Sequence, residues 1–197
     1  MIPKILHFVW LGGKLPKQYE IWRDDWERLH MDWQVMRWDD TNLKSLTPPK
    51  TCCHVRQRSN WIRLYLLQEY GGVYTDYDTQ PLKNIEPLLR DTSAVASPFF
   101  ATNLFRPNWC CNSFLAATPN HPWINECVGL LQQADPSVHL SMGSDLISKA
   151  LDSHPEVLIL HRDDILQWPF WYKLGRKPKP RYYAIHHFDN MSKIGRN

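Results

Sequence analysis

The sequence predicts an α/β layered domain built on a mixed, mainly parallel sheet flanked by helices. Three observations carry that reading. Strand-like and helix-like stretches alternate along the chain, the best-patterned helix runs straight into a glycine pair and a short apolar strand, and 197 residues suffice for one domain to bury a core. Apolar content of 43% and charged content of 22% are ordinary for a globular chain. No apolar run approaches the ~20 residues of a membrane-spanning helix.

Each element has its own signal. "PKILHFVWLG" (3–12) reads as a buried strand ended by Gly12 and Gly13. Residues 16–30, opened by Pro16, read as a helix with Ile21, Trp22, Trp26 and Leu29 as its apolar stripe. "DWQVMRWDD" (32–40) alternates as a second strand, and "TPPK" (47–50) breaks the chain. Val55 to Tyr70 carries Ile62, Tyr65, Leu66 and Tyr70 at helical spacing, with Gly71 placed to supply a left-handed C-terminal cap. "GVYT" (72–75) follows as a strand, then a weaker strand near "SAVAS" and the apolar stretch "CNSFLAAT". Helices from His121 to about Gln133 and from about Gly143 to Leu151 come next, and "EVLILH" reads as one more strand. The tail is rich in Pro and Lys after Gly175 before it enters "YYAIHHF".

Composition narrows the function classes. Cys52-Cys53 and Cys110-Cys111 are adjacent pairs without C-x-x-C spacing, so reduced thiols are expected and a zinc site is not. The opening "MIPKILHFVWLGG" has one lysine and no long apolar core of a signal peptide, which places the expected location in the cytoplasm. The net charge of +3 is uneven. From Lys173 onward seven Lys or Arg face a single acid, Asp189, a basic segment suited to phosphates on a lipid, a nucleotide or a nucleic acid, or to a solvated tail. Ten tryptophans offer flat apolar faces for a core, for sugar rings and for bases.

The stretch "GGVYTDYDTQPL" holds the chemistry. Residues i and i+2 of an extended chain share a side, so Asp76 and Asp78 converge at the end of the "GVYT" strand, where open α/β sheets bind ligands. Two carboxylates that close repel unless a cation joins them, and a hard divalent ion bridging to a diphosphate fits.

The longer stretch "RSNWIRLYLLQEYGGVYTDYDTQPL" resembles the sugar-binding region of the D-x-D glycosyltransferases of family 32. These are related to yeast initiating mannosyltransferases, to bacterial capsule glycosyltransferases and, remotely, to clostridial glucosylating toxins. Their pattern is a helix bearing S-D-x-x-R, then G-G-x-Y-x-D-x-D. "IPKILHFVWLGG", "WQVMRWDD", "CNSFLAATPNHP" and "YYAIHHF" match the family's flanking segments, so the resemblance spans nearly the whole chain. It implies a single GT-A type, Rossmann-like domain over residues 1–197, dependence on Mn²⁺ or Mg²⁺, a UDP-sugar donor before a GDP-sugar, and retention of anomeric configuration. It implies that Asp76 approaches the donor ribose or sugar and that Asp78 holds the metal. Arg63 would touch the donor sugar or its phosphates, Trp10 would stack on the base beside the backbone at Val9, and Asn112 would bond sugar hydroxyls. His186 or His187 would complete the metal site or bind the diphosphate. Each residue also has a structural reading: a helix-surface ion pair for Arg63, core for Trp10, a turn for Asn112.

Three departures stand out. Asn60 replaces the usual Asp, so it can hydrogen-bond a donor hydroxyl but brings no charge. "MGSDLI" replaces a Gly-Pro before the late helix, and its Asp145 is placed to contact donor or acceptor hydroxyls or to start the helix. The closing segment has Ser192 but lacks the tryptophan that follows it in many relatives. The expected acceptor is a saccharide or a lipid-linked saccharide, with peripheral membrane contact allowed. Two alternatives follow from the basic end and from the departures: glycosylation of modified bases in DNA, as a phage enzyme would perform, and a non-catalytic module that binds nucleotide-sugars. A phosphodiesterase would need more clustered acids than the chain offers.

Overall fold

The computed structural model describes residues 1–50, 52, 54–99, 108–135, 137–138, 141–167 and 181–189. Of the seven Lys and Arg from 173 onward, Arg181 alone is among these residues, and it ion-pairs with Asp163. Ser192 also lies outside them.

A six-stranded sheet forms the centre, in the order β2 (Gln34–Asp39), β1 (Ile5–Trp10), β3 (Gly72–Thr75), β6 (Cys110–Ala117), β5 (Ala94–Pro98), β7 (Leu158–Ile159). β1 pairs in parallel with β2 and β3, β6 runs antiparallel to β3 and β5, and β5 is parallel to β7. Five strands therefore run one way and β6 alone runs against them. A second sheet of three short strands has the order β4 (Thr79–Pro81), β9 (Ala184–His186), β8 (Ile165–Gln167).

Period-two alternation splits the core into two layers. On one face Val9, Tyr74, Ala96 and Leu115 pack with α2 (Val55–Tyr70), α3 (Pro122–Gln133) and α4 (Ser144–Leu151). On the other face Phe8, Val73, Val95 and Phe114 pack with α1 (Lys17–Leu29) and with Ile165 and Ala184 of the second sheet.

The elements differ from expectation in four places. In α1 the buried stripe is Tyr19, Trp22 and Trp26, while Ile21 is 47% exposed. Position 21 lies two residues, about 200°, from position 19, so the helical period turns it outward. Gly71 has φ 62° and ψ −155°, a positive φ with an extended ψ rather than a left-handed helical cap, and it sends the chain directly into β3. "EVLILH" supplies only the two-residue β7. The stretch "CNSFLAAT" is β6, the reversed strand.

The glycine pair fixes how closely α2 and β3 approach their neighbours. A Cβ on Gly71 would lie 2.6 Å from Pro119 Cδ and 2.9 Å from the Ala117 carbonyl oxygen. One on Gly72, at φ 90°, would lie 2.7 Å from the carbonyl oxygen of Ile5 on the adjacent strand. Only glycine tolerates both the backbone angle and the contact.

Candidate functional site

The carboxyl ends of β1 and β3, the start of the reversed β6, and the N-terminal halves of α2 and α4 meet at one edge of the sheet. This is the edge at which open α/β sheets place ligands. A cleft of about 870 Å³ opens there, and its lining includes Val9, Trp10, Asn60, Arg63, Asp76, Asp78, Asn112 and His186.

Asp76 leaves β3 with its N–H still donating to Ser113 O at 2.9 Å, and its own carbonyl accepts from Thr79 N–H at 3.0 Å. Residues 76–78 thus form a turn rather than the extended run expected, yet both acids line the cleft, and Tyr77 between them packs its ring against Phe8, with centroids 5.0 Å apart. β4 then pairs with β9 in the register Thr79↔His186, which delivers a histidine from the far end of the chain. His186 Nε2 lies 3.2 Å from Asp78 Oδ1 and 3.7 Å from Asp76 Oδ2. One ligand atom from each of Asp76, Asp78 and His186 falls within 4.8 Å of the other two.

Arg63 is buried in the wall of the cleft, with 6% exposure. Its Nη1 donates to Asn112 O at 2.5 Å and lies 3.3 Å from Asp76 Oδ1. Nε and Nη2 donate to Ser59 O and Ser59 Oγ, one turn earlier on α2, at 3.3 and 3.2 Å. The guanidinium carbon sits 4.5 Å over the Tyr74 ring, and the Tyr74 hydroxyl donates to Asp76 Oδ1 at 2.6 Å. A buried cation survives because a carboxylate, two carbonyls and an aromatic face surround it.

The charges shift one another. Burial pushes the Asp76 carboxyl up, and the Arg63 cation opposes that without cancelling it. Burial also acts on Asp78, but the His186 cation and the Asp189 N–H hold its carboxyl below the usual range. Burial disfavours the His186 imidazolium, yet the Asp78 carboxylate beside it lifts its pKa well above the ordinary value. The two acids thus favour positive charge at the imidazole between them, a place suited to a cation.

The other expected residues fall in two groups. Asn112 Nδ2 donates to Asn60 Oδ1 at 2.9 Å, which makes a neutral amide pair on the cleft wall. Gly143 opposes the pair, and a Cβ there would approach Asn112 Nδ2 to 3.2 Å. Trp10 is half-buried, edge-on to Tyr19 and Tyr77, with its indole N–H on Gly13 O at 3.2 Å. His187 and Asp145 do not line the cleft. His187 stacks on Trp22 and meets Gln80 Oε1 at 3.2 Å, and Asp145 Oδ1 accepts from Trp109 Nε1 at 3.0 Å. Sequence reasoning missed Tyr74, Ser59, Phe99 and Phe188. The signal for the first two was present, since Ser59 and Tyr74 fall on the Ser and Tyr of the S-D-x-x-R and G-G-x-Y-x-D-x-D pattern.

The sheet order and the cleft at the D-x-D turn define the GT-A glycosyltransferase fold. The solved galactosyltransferase LgtC, in complex with donor and acceptor sugar analogs, superposes with a TM-score of 0.59 at 12% identity, covering 93% of this chain and 87% of that one. The PaToxG glycosyltransferase superposes with a TM-score of 0.57 at 19% identity, covering 78% and 70%. Within that fold, residues 16–95 match the family model described as "Glycosyltransferase sugar-binding region containing DXD motif", which bears out the resemblance read from the sequence. Inositol phosphoceramide mannosyltransferase 1 of Schizosaccharomyces pombe is 26% identical over 166 residues, 75% of this chain and 50% of that protein. The chain spans half or less of the length of the curated relatives it matches. Among the described residues no helix is long and apolar enough to cross a membrane.

Proposed function

We propose that this chain is a metal-dependent glycosyltransferase that moves a sugar from a nucleoside-diphosphate sugar to a saccharide or lipid-linked saccharide, with retention of anomeric configuration. One observation carries the reading: Asp76, Asp78 and His186 gather beside Arg63 in the wall of a cleft at the carboxyl edge of the sheet. Two carboxylate oxygens suit Mg²⁺ or Mn²⁺, and the imidazole nitrogen favours Mn²⁺ of the two. A divalent ion held there would neutralise the diphosphate as charge grows on it.

The chain's own residues do the rest. Arg63 is fixed by its contacts to Ser59, Asn112 and Asp76, so its positive charge is in place before the donor arrives and costs no reorganisation. The Asn60–Asn112 amide pair orients sugar hydroxyls with neutral donors and acceptors. Trp10 offers its half-exposed face to the base. Retention is supported by the acids available: among the described residues that line the cleft, Asp76 and Asp78 are the only carboxylates. Both belong to the cation cluster, so neither is a separate carboxylate free to activate an acceptor from the opposite side. The leaving phosphate oxygen takes the acceptor proton on the same face. UDP-sugars are the first candidates for the donor and GDP-sugars the second.

The test is donor hydrolysis by the purified chain with Mn²⁺ and UDP-glucose, UDP-galactose or GDP-mannose. One donor is turned over, a chelator stops the reaction, and Asp78→Ala lowers the rate at least about 100-fold while far-ultraviolet circular dichroism is unchanged. Turnover that persists in the chelator or in Asp78→Ala overturns the reading. Binding without turnover of any donor assigns a nucleotide-sugar-binding module instead.

A further inference from the structure

After β9 the chain does not run on into solvent but wraps around Asp78. His187 N–H donates to Asp78 O at 2.9 Å, and Asp189 N–H donates to Asp78 Oδ2 at 3.0 Å. Between them Phe188 has φ 53°, the left-handed region, which a bulky side chain enters only when its surroundings impose it. That angle is what lets the strap bring both N–H groups onto one aspartate.

The strap is held from α1. The buried Tyr19 hydroxyl donates to Asp189 Oδ2 at 3.2 Å across 170 residues of sequence. One turn on, Trp22 stacks on His187 with centroids 4.5 Å apart and planes at 11°. Tyr19 itself is wedged between Trp10, 5.8 Å away edge-on, and Trp22, 5.7 Å away and stacked. Its ring cannot swing, so the hydroxyl stays aimed at Asp189.

We propose that Tyr19 is a positioning residue for the metal ligand Asp78, acting through Asp189. A carboxylate free to rotate offers either oxygen to an ion and loses that freedom on binding. With Oδ2 accepting from the Asp189 N–H, Oδ1 is the oxygen held 3.2 Å from His186 Nε2, and the orientation of the Asp78 carboxylate is set before an ion arrives. Tyr19 keeps Asp189 in place and touches neither donor nor ion. The inference rests on the metal reading proposed above for Asp76, Asp78 and His186.

Mn²⁺ affinity, read by electron paramagnetic resonance on the nucleotide-free chain, tests it. Tyr19→Phe keeps the ring and its stacking and loses only the hydroxyl. It weakens Mn²⁺ binding about tenfold, at the low end for residues that orient a ligand. Asp189→Ala has a similar effect, Asp189→Asn retains an acceptor for Tyr19 and binds close to wild type, and Tyr19→Phe with Asp189→Ala is no weaker than either single change. Metal-free thermal unfolding, run in parallel, stays near wild type for Tyr19→Phe, and Asp189→Ala alone carries the test if it does not. Wild-type affinity in Tyr19→Phe, or losses that multiply in the double variant, overturns the proposal while leaving the metal site intact. A wild-type chain that binds no Mn²⁺ overturns the metal reading and this proposal together.

Discussion

Arg63 concentrates the account at the scale of single residues. It is a buried cation with four polar contacts to three residues, and each is spent on geometry. Lysine keeps the charge but lacks the planar fork, so it cannot reach Asp76, Asn112 O and Ser59 at once. Arg63→Lys is expected to lower donor turnover about 100-fold or more, with Mn²⁺ still bound; near-wild-type turnover would contradict the role assigned to it. The central residues were legible because the motif puts Asp76, Asp78 and Arg63 within one short stretch. The choice between His186 and His187 was not. The two are adjacent, and what separates them is the pairing of His186 with Thr79 across more than a hundred residues. The Tyr19–Asp189 contact was unreadable for the same reason, since nothing local to either residue announces the other.

At the scale of elements, the long helices were readable because their apolar periodicity runs over several turns, whereas three strands of the second sheet are three residues long. Alternation over three residues is no signal, and alternation of any length is silent on strand direction, so the reversal of β6 could not be foreseen. That reversal matters: it brings the start of β6, with Asn112, to the same edge as the ends of β1 and β3. The glycines give a matched pair of expectations. Gly71→Ala forces a Cβ into Pro119 and Ala117 O at a positive φ, and is expected to cost more than about 2 kcal/mol in urea unfolding. Gly129→Ala lies within α3 with open space around the new Cβ, and is expected to stabilise the chain by about 0.5–1 kcal/mol. Equal effects at the two positions would contradict the packing described.

At the scale of the whole molecule, a mixed sheet divides two cores and leaves one edge open for chemistry. Stability carries a pH signature from the β1–β2–α2 junction. His7 is buried, its Nε2–H donates to Gly71 O at 2.8 Å, and its Nδ1 accepts from Trp38 Nε1 at 3.1 Å, which fixes the neutral ring. Burial lowers its pKa from 6.5 to about 4. Between those values the unfolded chain takes up a proton that the folded chain refuses, so His7's contribution is complete above pH 6.5 and is lost as pH falls towards 4. The loss is on the order of 3 kcal/mol. His30 and His121, also lowered by burial, slope the same way, so the check is a difference: urea unfolding of His7→Gln is expected to depend less on pH across that window than wild type. Parallel pH curves would contradict it. The fold class was legible from alternation and length, and the cleft from the D-x-D turn. Its closing wall, the strap from β9, depends on long-range pairing that one sequence does not display. The most direct test of the central claim is anomalous diffraction at the manganese edge from crystals grown with Mn²⁺ and a nucleoside diphosphate. A single strong peak is expected in contact with Asp78 Oδ1, Asp76 and His186, with the diphosphate on its open side. A peak elsewhere, or a diphosphate bound in the cleft with no peak among those three side chains, would contradict it.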